Sequence, residues 1–193
     1  MKSKIIFIAG ILFGSFIGWY AFPFALYYSN EQPLQFNHLV HTGEQGGMAC
    51  EDCHQTNELG RFQGIPVVAK CAECHASPLG ETENEKRLVD DYITPNKEIP
   101  WFVYSRQPDN AFFPHAPHVT LGEMKCEECH GDHGATEVLR LHQTNRISGY
   151  SRDIWGAGIS GISSTTWEGM KMDKCVRCHG DNGRRDGCVA CHK

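Results

Sequence analysis

The sequence predicts an N-terminal transmembrane helix followed by a mostly irregular body of short helices, and three observations lead to this fold class. The chain of 193 residues begins with an apolar, uncharged run from Ile5 to Tyr28. Only 40% of all residues are apolar, and that run takes part of this share, so little aliphatic material remains for a conventional core. The body also carries 10 cysteines and 11 histidines in a repeated pattern.

The apolar run is long enough to cross a hydrocarbon core of roughly 30 Å as a helix. Lys2 and Lys4 precede it, which favours a cytoplasmic N-terminus and an exported body. Aromatic residues suited to a membrane interface gather toward its far end: Trp19, Tyr20, Tyr27 and Tyr28. The alternative is a cleaved signal peptide, whose apolar region is usually about 7–15 residues long and ends in small residues. The longer run predicts a single-pass anchor over residues 1–28 in the inner membrane, in contact with lipid, with the body in the periplasm.

All ten cysteines fall into pairs with the spacing C-x-x-C, and a histidine directly follows each pair. The pairs are Cys50 with Cys53, Cys71 with Cys74, Cys126 with Cys129, Cys175 with Cys178, and Cys188 with Cys191. The histidines are His54, His75, His130, His179 and His192. C-x-x-C-H is the attachment motif of c-type haem, in which both thiols bond the porphyrin and the histidine reaches the iron from one face. The sequence thus predicts five covalent haem c groups with these histidines as proximal ligands.

Zinc binding and disulfide formation are the alternatives for so many cysteines. Neither explains a histidine after every pair. With 11 histidines in 193 residues, five such coincidences would occur by chance on the order of once in a million.

Six histidines lie outside the motifs and are candidates for the second axial position of each iron. His38 and His41 precede the first motif, and His115 and His118 precede the third, each pair with the spacing H-x-x-H after an aromatic residue. Residues i and i+3 of a helical turn share one face, so each pair can serve two neighbouring irons. These four are the expected distal ligands, and His133 and His142 are further candidates.

Methionine can also occupy an axial position, and four methionines lie shortly before haem motifs: Met48, Met124, Met170 and Met172. Packing against the porphyrin is the favoured role for these side chains. Two strong ligands on each iron favour electron transfer over substrate binding, so no catalytic site is expected.

The motifs divide the chain after the anchor into a haem module at 29–80, a linker at 81–110 and a second haem module at 111–193. A short, exposed, acidic helix is predicted in ETENEKRLVDDY, with Leu88 and Val89 facing inward. Another short helix is predicted in ATEVLRLHQ, with Val138, Leu139 and Leu141 facing inward. Trp155 and Trp167 are expected to pack on haem. The formal net charge of -5, without any basic block, argues against a nucleic-acid partner.

Three stretches carry a resemblance to a known family: FNHLVHTGEQGGMACEDCH, GRFQGIPVVAKCAECH and EIPWFVYSRQPDNAFFPHAPHVTLGEMKCEECHG. From about Phe36 to His192, the body resembles the anchored multihaem cytochrome c subunit shared by menaquinone reductase complexes and alternative complex III. The resemblance implies that His38, His41, His115 and His118 are axial ligands. It also implies three kinds of partner subunit: an iron–sulfur subunit, a large subunit like molybdopterin oxidoreductases, and an integral quinone-site subunit.

The resemblance implies a relay through five c-type haems between a soluble periplasmic multihaem cytochrome c and the complex, toward menaquinone reduction. In alternative complex III the electrons would instead leave quinol and pass outward. Two other classes stay open: a self-sufficient anchored quinol dehydrogenase, and a haem enzyme with an open iron. The self-sufficient dehydrogenase is disfavoured because QTNELG, which follows the first motif, contains no methionine to serve as a ligand. The haem enzyme is disfavoured because all five motifs are regular.

Overall fold

The computed structural model describes residues 2–104, 109–149, 172–184 and 187–192. It begins with a continuous helical segment, in which helix α1 (Lys2–Phe16) passes through a π-helical stretch (Ile17–Ala21) into helix α2 (Phe22–Leu26). Ser3–Ala21 is long and apolar enough to cross a membrane, and none of it is buried against the body. Trp155, Trp167 and Met170 lie outside the described residues.

The helical segment leads directly into the described two-stranded sheet. Strand β1 (Tyr27–Asn30) pairs in antiparallel register with strand β2 (His142–Asn145), so that Tyr27 faces Asn145 and Asn30 faces His142. The pairing joins the end of the apolar segment to a strand more than a hundred residues later in the chain.

The rest of the described body consists of short helical segments joined by irregular chain. The α-helices are α3 (His38–Thr42), α4 (Cys50–Cys53), α5 (Val68–His75), α6 (Glu83–Arg87), α7 (Cys126–His130), α8 (Met172–Asp181) and α9 (Cys188–Cys191). Two π-helical stretches (Leu88–Ile93 and Ala116–Thr120) and a 3-10 turn (His133–Ala135) complete them. The predicted class, a mostly irregular body of short helices after one N-terminal apolar helix, is confirmed.

A small apolar core lies beside the second cysteine motif. Leu34, Val68, Tyr92 and Ile99 form one buried cluster, against which Leu88 and Trp101 also pack. The buried Gln32 side chain joins this region to the chain at Phe102, because its amide donates to Phe102 O and accepts from Phe102 N, both at 3.0 Å. Segment 81–104 therefore packs directly on the first haem module.

One of the two predicted helices is confirmed and the other is wrong. Thr82 caps α6 by accepting from Glu85 N, and Val89 is buried as expected. ATEVLRLHQ forms no helix: Leu139 N donates to the Gln35 side chain and His142 begins β2. Val138 and Leu141 are exposed rather than inward. Contacts distant in sequence override the local helix propensity of this segment.

We expect Leu34→Ala to lower the free energy of unfolding by roughly 2–5 kcal/mol, because it removes a buried side chain from the apolar cluster. Leu79→Ala is the matched control, since the Leu79 side chain is 69% exposed. Urea unfolding of the detergent-solubilised chain, followed by circular dichroism, measures both. Equal effects of the two substitutions would show that this cluster does not contribute to stability.

Candidate haem sites

The C-x-x-C motifs form short helical turns that present two thiols each. In the first and third motifs an acidic residue fixes the turn: Asp52 accepts from Ala49 N at 2.7 Å, and Glu128 accepts from Lys125 N at 3.0 Å. Carboxylates also suit the positive end of a helical turn. The motif is thus a stable local unit that holds both sulfurs on one side.

None of the ten cysteines is in a disulfide, and none is fully buried. Seven are partly buried and three are exposed. The partly buried thiols are Cys50, Cys53, Cys71, Cys126, Cys129, Cys175 and Cys178, and the exposed ones are Cys74, Cys188 and Cys191. Every thiol is therefore accessible to a porphyrin, and the thioether bond predicted for each of them stays a prediction.

The second cysteine of a motif can differ from the first in its surroundings. Cys74 is exposed although Cys71, one turn earlier in α5, is partly buried. Just after α8, the Asn182 side-chain amide donates to Cys178 O at 2.9 Å and lies 3.8 Å from Cys178 Sγ. The Asn182 contact steadies the end of the fourth motif, where His179 follows.

The motifs follow one another in space in an order that differs from their order in sequence. Burial raises the pKa of Cys71, and the Cys53 thiol beside it adds to the shift. Burial together with the neighbouring Cys50 thiol raises the pKa of Cys126 to about 11.

The same electrostatic contacts continue along the body. Burial raises the pKa of Cys129, with Cys175 as the next cause and Cys178 as a smaller one. Burial raises the pKa of Cys175, with Cys191 as the next cause. The second motif is therefore a neighbour of the first, the first of the third, the third of the fourth, and the fourth of the fifth.

The first H-x-x-H pair is shaped by the two residues before it. Asn37 caps α3 by accepting from Val40 N at 3.0 Å, and its backbone carbonyl accepts from His41 Nδ1 at 2.7 Å. The Phe36 ring stacks on His41, with centroids 4.3 Å apart, and meets His38 edge-on at 4.7 Å. Both imidazoles are thereby held in fixed orientations.

The second H-x-x-H pair repeats this arrangement. Pro114 O accepts from His118 Nδ1 at 2.9 Å. The Phe113 ring stacks on His118 at 4.6 Å and meets His115 edge-on at 5.1 Å. The aromatic residue two positions before each pair therefore has a structural role.

Three of these imidazoles each face the histidine of a cysteine motif. The ring centroids of His41 and His75 are 6.0 Å apart, those of His115 and His130 are 6.3 Å apart, and those of His118 and His179 are 6.0 Å apart. A metal–nitrogen bond to imidazole is about 2.0 Å long, and the ring centroid lies about 1.1 Å beyond that nitrogen. Two imidazoles bound on opposite sides of one metal ion therefore have ring centroids about 6.2 Å apart. The three separations therefore fit axial pairs on the second, third and fourth haems.

The second motif has a carboxylate partner that the sequence analysis missed. His75 Nδ1 donates to Glu85 Oε1 at 2.6 Å, and Leu79 N donates to the same oxygen at 3.0 Å. Burial pushes the pKa of Glu85 upward, but the Leu79 N–H and His75 outweigh it and hold the pKa below its usual value. The sequence offered one indication of this contact, because the predicted helix after the second motif is rich in acidic residues. Sequence spacing alone does not show which of these acidic side chains turns toward the motif.

Burial keeps several of the candidate ligands neutral at neutral pH. Burial, followed by the His133, His54 and His41 imidazoles, lowers the pKa of His38 to about 4. Burial is also the largest cause of the lowered pKa values of three other histidines: His115, His130 and His133. A neutral imidazole is the form that binds a metal.

A fourth imidazole pair joins His38 to His133, with ring centroids 6.3 Å apart. Neither of these histidines follows a cysteine pair. His142 is buried, and its ring stacks on Phe102 at 5.1 Å.

The remaining two motif histidines have other neighbours. His54 lies beside the Phe62 ring, with centroids 6.0 Å apart, and its Nδ1 is buried without a hydrogen-bond partner among the described residues. His192 Nδ1 is 3.3 Å from Asn110 O. Within the described ranges, neither is brought into an imidazole pair.

These residues fit haem c better than the alternatives. The described residues contain no disulfide and no group of three or more side chains that could hold a metal ion. Pairs of imidazoles at the separation expected for two ligands of one metal ion, with cysteine thiols beside them, suit a planar porphyrin. The fold and the sites together define a multihaem cytochrome c.

Comparison with known proteins places the chain within this class. Residues 40–143 match the family model described as cytochrome c3. A curated relative from Nitratidesulfovibrio vulgaris strain Hildenborough, "Menaquinone reductase, multiheme cytochrome c subunit", is 37% identical over 202 aligned positions, which cover 97% of this chain and 89% of the relative. The chain belongs to the cytochrome c3 family of multihaem cytochromes, and it therefore has an electron-transfer role.

We expect Glu85→Gln to raise the midpoint reduction potential of the haem at the second motif. A carboxylate on Nδ1 makes an axial imidazole more electron-donating and favours ferric iron, whereas a neutral amide does so less. Spectroelectrochemical titration of the full chain measures the shift. Glu83→Gln, an exposed substitution in the same helix, serves as the control. Identical potentials in the two variants would contradict the role given to Glu85.

Proposed function

We propose that the chain is the membrane-anchored, periplasmic electron-transfer subunit of a menaquinone reductase complex. The likeness to the curated menaquinone reductase subunit carries this assignment, because it extends over 97% of the chain. In this proposal residues 1–28 anchor the chain in the inner membrane, and Lys2 and Lys4 keep the N-terminus in the cytoplasm.

The proposal gives each cysteine motif one covalent haem c. Both cysteines of each motif bond the porphyrin, and the following histidine is the proximal ligand, which makes five covalent haems in all. His41, His115 and His118 serve as distal ligands of the second, third and fourth haems, since their rings lie 6.0–6.3 Å from the respective proximal rings. When bound, the haems supply one-electron redox chemistry.

The protein's own part in the relay is to hold the axial imidazoles and to bring the motifs close together. Adjacent motifs in the spatial order have neighbouring thiols, from Cys71 beside Cys53 to Cys175 beside Cys191. Neighbouring thiols imply close porphyrin edges, which suits transfer between successive centres. No substrate step is assigned to this chain.

The partners follow from the resemblance to the subunit family. They are an iron–sulfur subunit, a large subunit like molybdopterin oxidoreductases and an integral quinone-site subunit, with a soluble periplasmic multihaem cytochrome c as electron donor. Electrons pass from that donor through this chain toward menaquinone. The acidic net charge of -5 favours a lysine-rich donor, and such steering weakens as the salt concentration rises.

We expect His41→Ala to open the iron of the second haem, because the imidazole facing His75 is lost. The substitution vacates one axial position, so the reduced variant should bind about one more carbon monoxide molecule per chain than the unchanged protein. Optical titration with carbon monoxide measures this number. Val40→Ala in the same helix is the control, since Val40 is partly exposed and carries no ligand. Equal carbon monoxide binding in all three proteins would contradict the pairing of His41 with His75.

Mild detergent extraction of native membranes, followed by identification of every copurifying chain, tests the assignment to a complex. We expect the three partner subunits named above, together with oxidation of the reduced haems on addition of a menaquinone analogue. A second quinone-site protein with monohaem cytochromes would instead indicate alternative complex III. A chain that purifies alone and still oxidises quinol would be a self-sufficient dehydrogenase.

A further inference from the structure

The turn that follows β2 lies beside the end of the apolar helical segment. Strand β1 runs away from α2, and β2 returns toward it in antiparallel register, so that Asn145 faces Tyr27. The pairing continues one step further, because Arg146 N donates to Leu26 O at 2.8 Å. The chain after β2 therefore approaches the segment that is proposed to lie in the membrane.

The position of Leu26 along the helical segment sets the depth of this turn. The candidate span Ser3–Ala21 has 19 residues, which at about 1.5 Å per residue matches a hydrocarbon core of roughly 30 Å. Leu26 comes five residues after Ala21, which adds about 7 Å. The headgroup region on each side of a bilayer is about 5–8 Å thick. On the proposed topology, Arg146 therefore lies at the level of the lipid headgroups.

The Arg146 side chain is held at the end of α2. Its Nε donates to Ala25 O at 3.1 Å, and its guanidinium carbon lies 5.5 Å from the centroid of the Tyr28 ring. A cation suits this end of a helix, where the last carbonyl groups lack partners within the helix. Arg146 is exposed, and no carboxylate among the described residues forms an ion pair with it. The two terminal nitrogens of the guanidinium are left to bind an anion.

The next residue presents an apolar side chain at the same place. Ile147 is 81% exposed. Asn145 fixes the turn that carries it, because its side-chain oxygen accepts from Ile147 N at 2.9 Å and from Ser148 N at 3.0 Å. Gly149 N donates to Asn145 O at 2.9 Å, with a positive φ of 72° that glycine adopts without strain. A cation and an apolar side chain are thus displayed together on an ordered turn.

We propose that the turn at residues 145–149 binds a phospholipid of the periplasmic leaflet, with Arg146 on the phosphodiester group and Ile147 against the adjoining acyl chains. The proposal rests on the proposed function, since it needs the anchor at residues 1–28. A guanidinium suits a phosphodiester, because its parallel N–H groups can donate to two oxygens. The depth of the turn and its continuity with the anchor favour a lipid over a soluble anion.

The contact determines which face of the body meets the membrane. The chain has a net charge of -5, so most of its surface is not attracted to anionic lipids. Arg146 supplies a local positive charge where β2 reaches the anchor. Because β2 is paired with β1, lipid bound at this turn restrains the orientation of the body as well as its distance from the membrane.

Native mass spectrometry of the detergent-solubilised full-length chain, titrated with dioleoylphosphatidylglycerol, tests the proposal. We expect Arg146→Gln to raise the apparent dissociation constant of this lipid about fivefold, the effect of one basic residue at a membrane surface. Arg61→Gln, which removes an exposed arginine from the loop after the first motif, is the matched control. Ile147→Ser changes an exposed side chain without risk to the fold and should also weaken binding. Equal dissociation constants in Arg146→Gln and Arg61→Gln would overturn the proposal.

Photocrosslinking in native membranes identifies what covers the turn. The photoreactive residue p-benzoylphenylalanine in place of Ile147 should form adducts with phospholipid. The same residue in place of Leu121, which is 80% exposed in the body, should not. Adducts of the first variant with another protein, and not with lipid, would overturn the lipid assignment.

Intact mass and copurification separate this proposal from the proposed function on which it rests. A full-length chain that copurifies with its partner subunits, but binds the lipid equally well with and without Arg146, would overturn only the contact at the turn. A mature chain that lacks residues 1–28 would overturn the anchor, and the lipid contact with it.

Discussion

An imidazole can bind a haem iron through Nε2 only if that nitrogen keeps its lone pair, and the local structure around several candidate ligands serves that condition. At several candidate ligands the chain meets this condition by giving Nδ1 a fixed acceptor. For His41 and His118 the acceptor is the backbone carbonyl four residues earlier, at 2.7 and 2.9 Å. The hydrogen bond to this acceptor fixes both the imidazole tautomer and the orientation of the ring. A short helical turn is therefore enough to orient an imidazole as a metal ligand.

Opposed imidazoles also take the place that an aliphatic core has in other proteins. The described residues bury only one small apolar cluster, around Val68 and Tyr92. The imidazole pairs join segments far apart in sequence, such as His118 with His179. In the proposed haem sites, metal coordination across such pairs would tie the chain at several points, and its free energy would become part of the folding free energy. This explains how a mostly irregular chain can hold a defined shape.

The family and part of the fold could be predicted from the sequence, because the attachment motif is a local spacing that can be read along the chain. The partner of each imidazole could not, because pairing depends on tertiary contacts that place His133 opposite His38. The helix predicted in ATEVLRLHQ is absent for the same reason, since the Gln35 side chain accepts from Leu139 N. The helix of Glu85 was predicted, but only the fold shows that this acidic side chain turns toward the second motif.

On the proposed topology, chain connectivity keeps the second motif close to the membrane. The apolar helical segment ends at Leu26, and Leu34 already packs beside Val68, in the helix that carries the second motif. Eight residues of extended chain span at most about 29 Å, so on the proposed topology the second motif cannot lie far from the membrane surface. Under the proposed function, a partner in the membrane would meet the body on the side of the second motif, in either direction of electron flow, because chain connectivity does not depend on that direction.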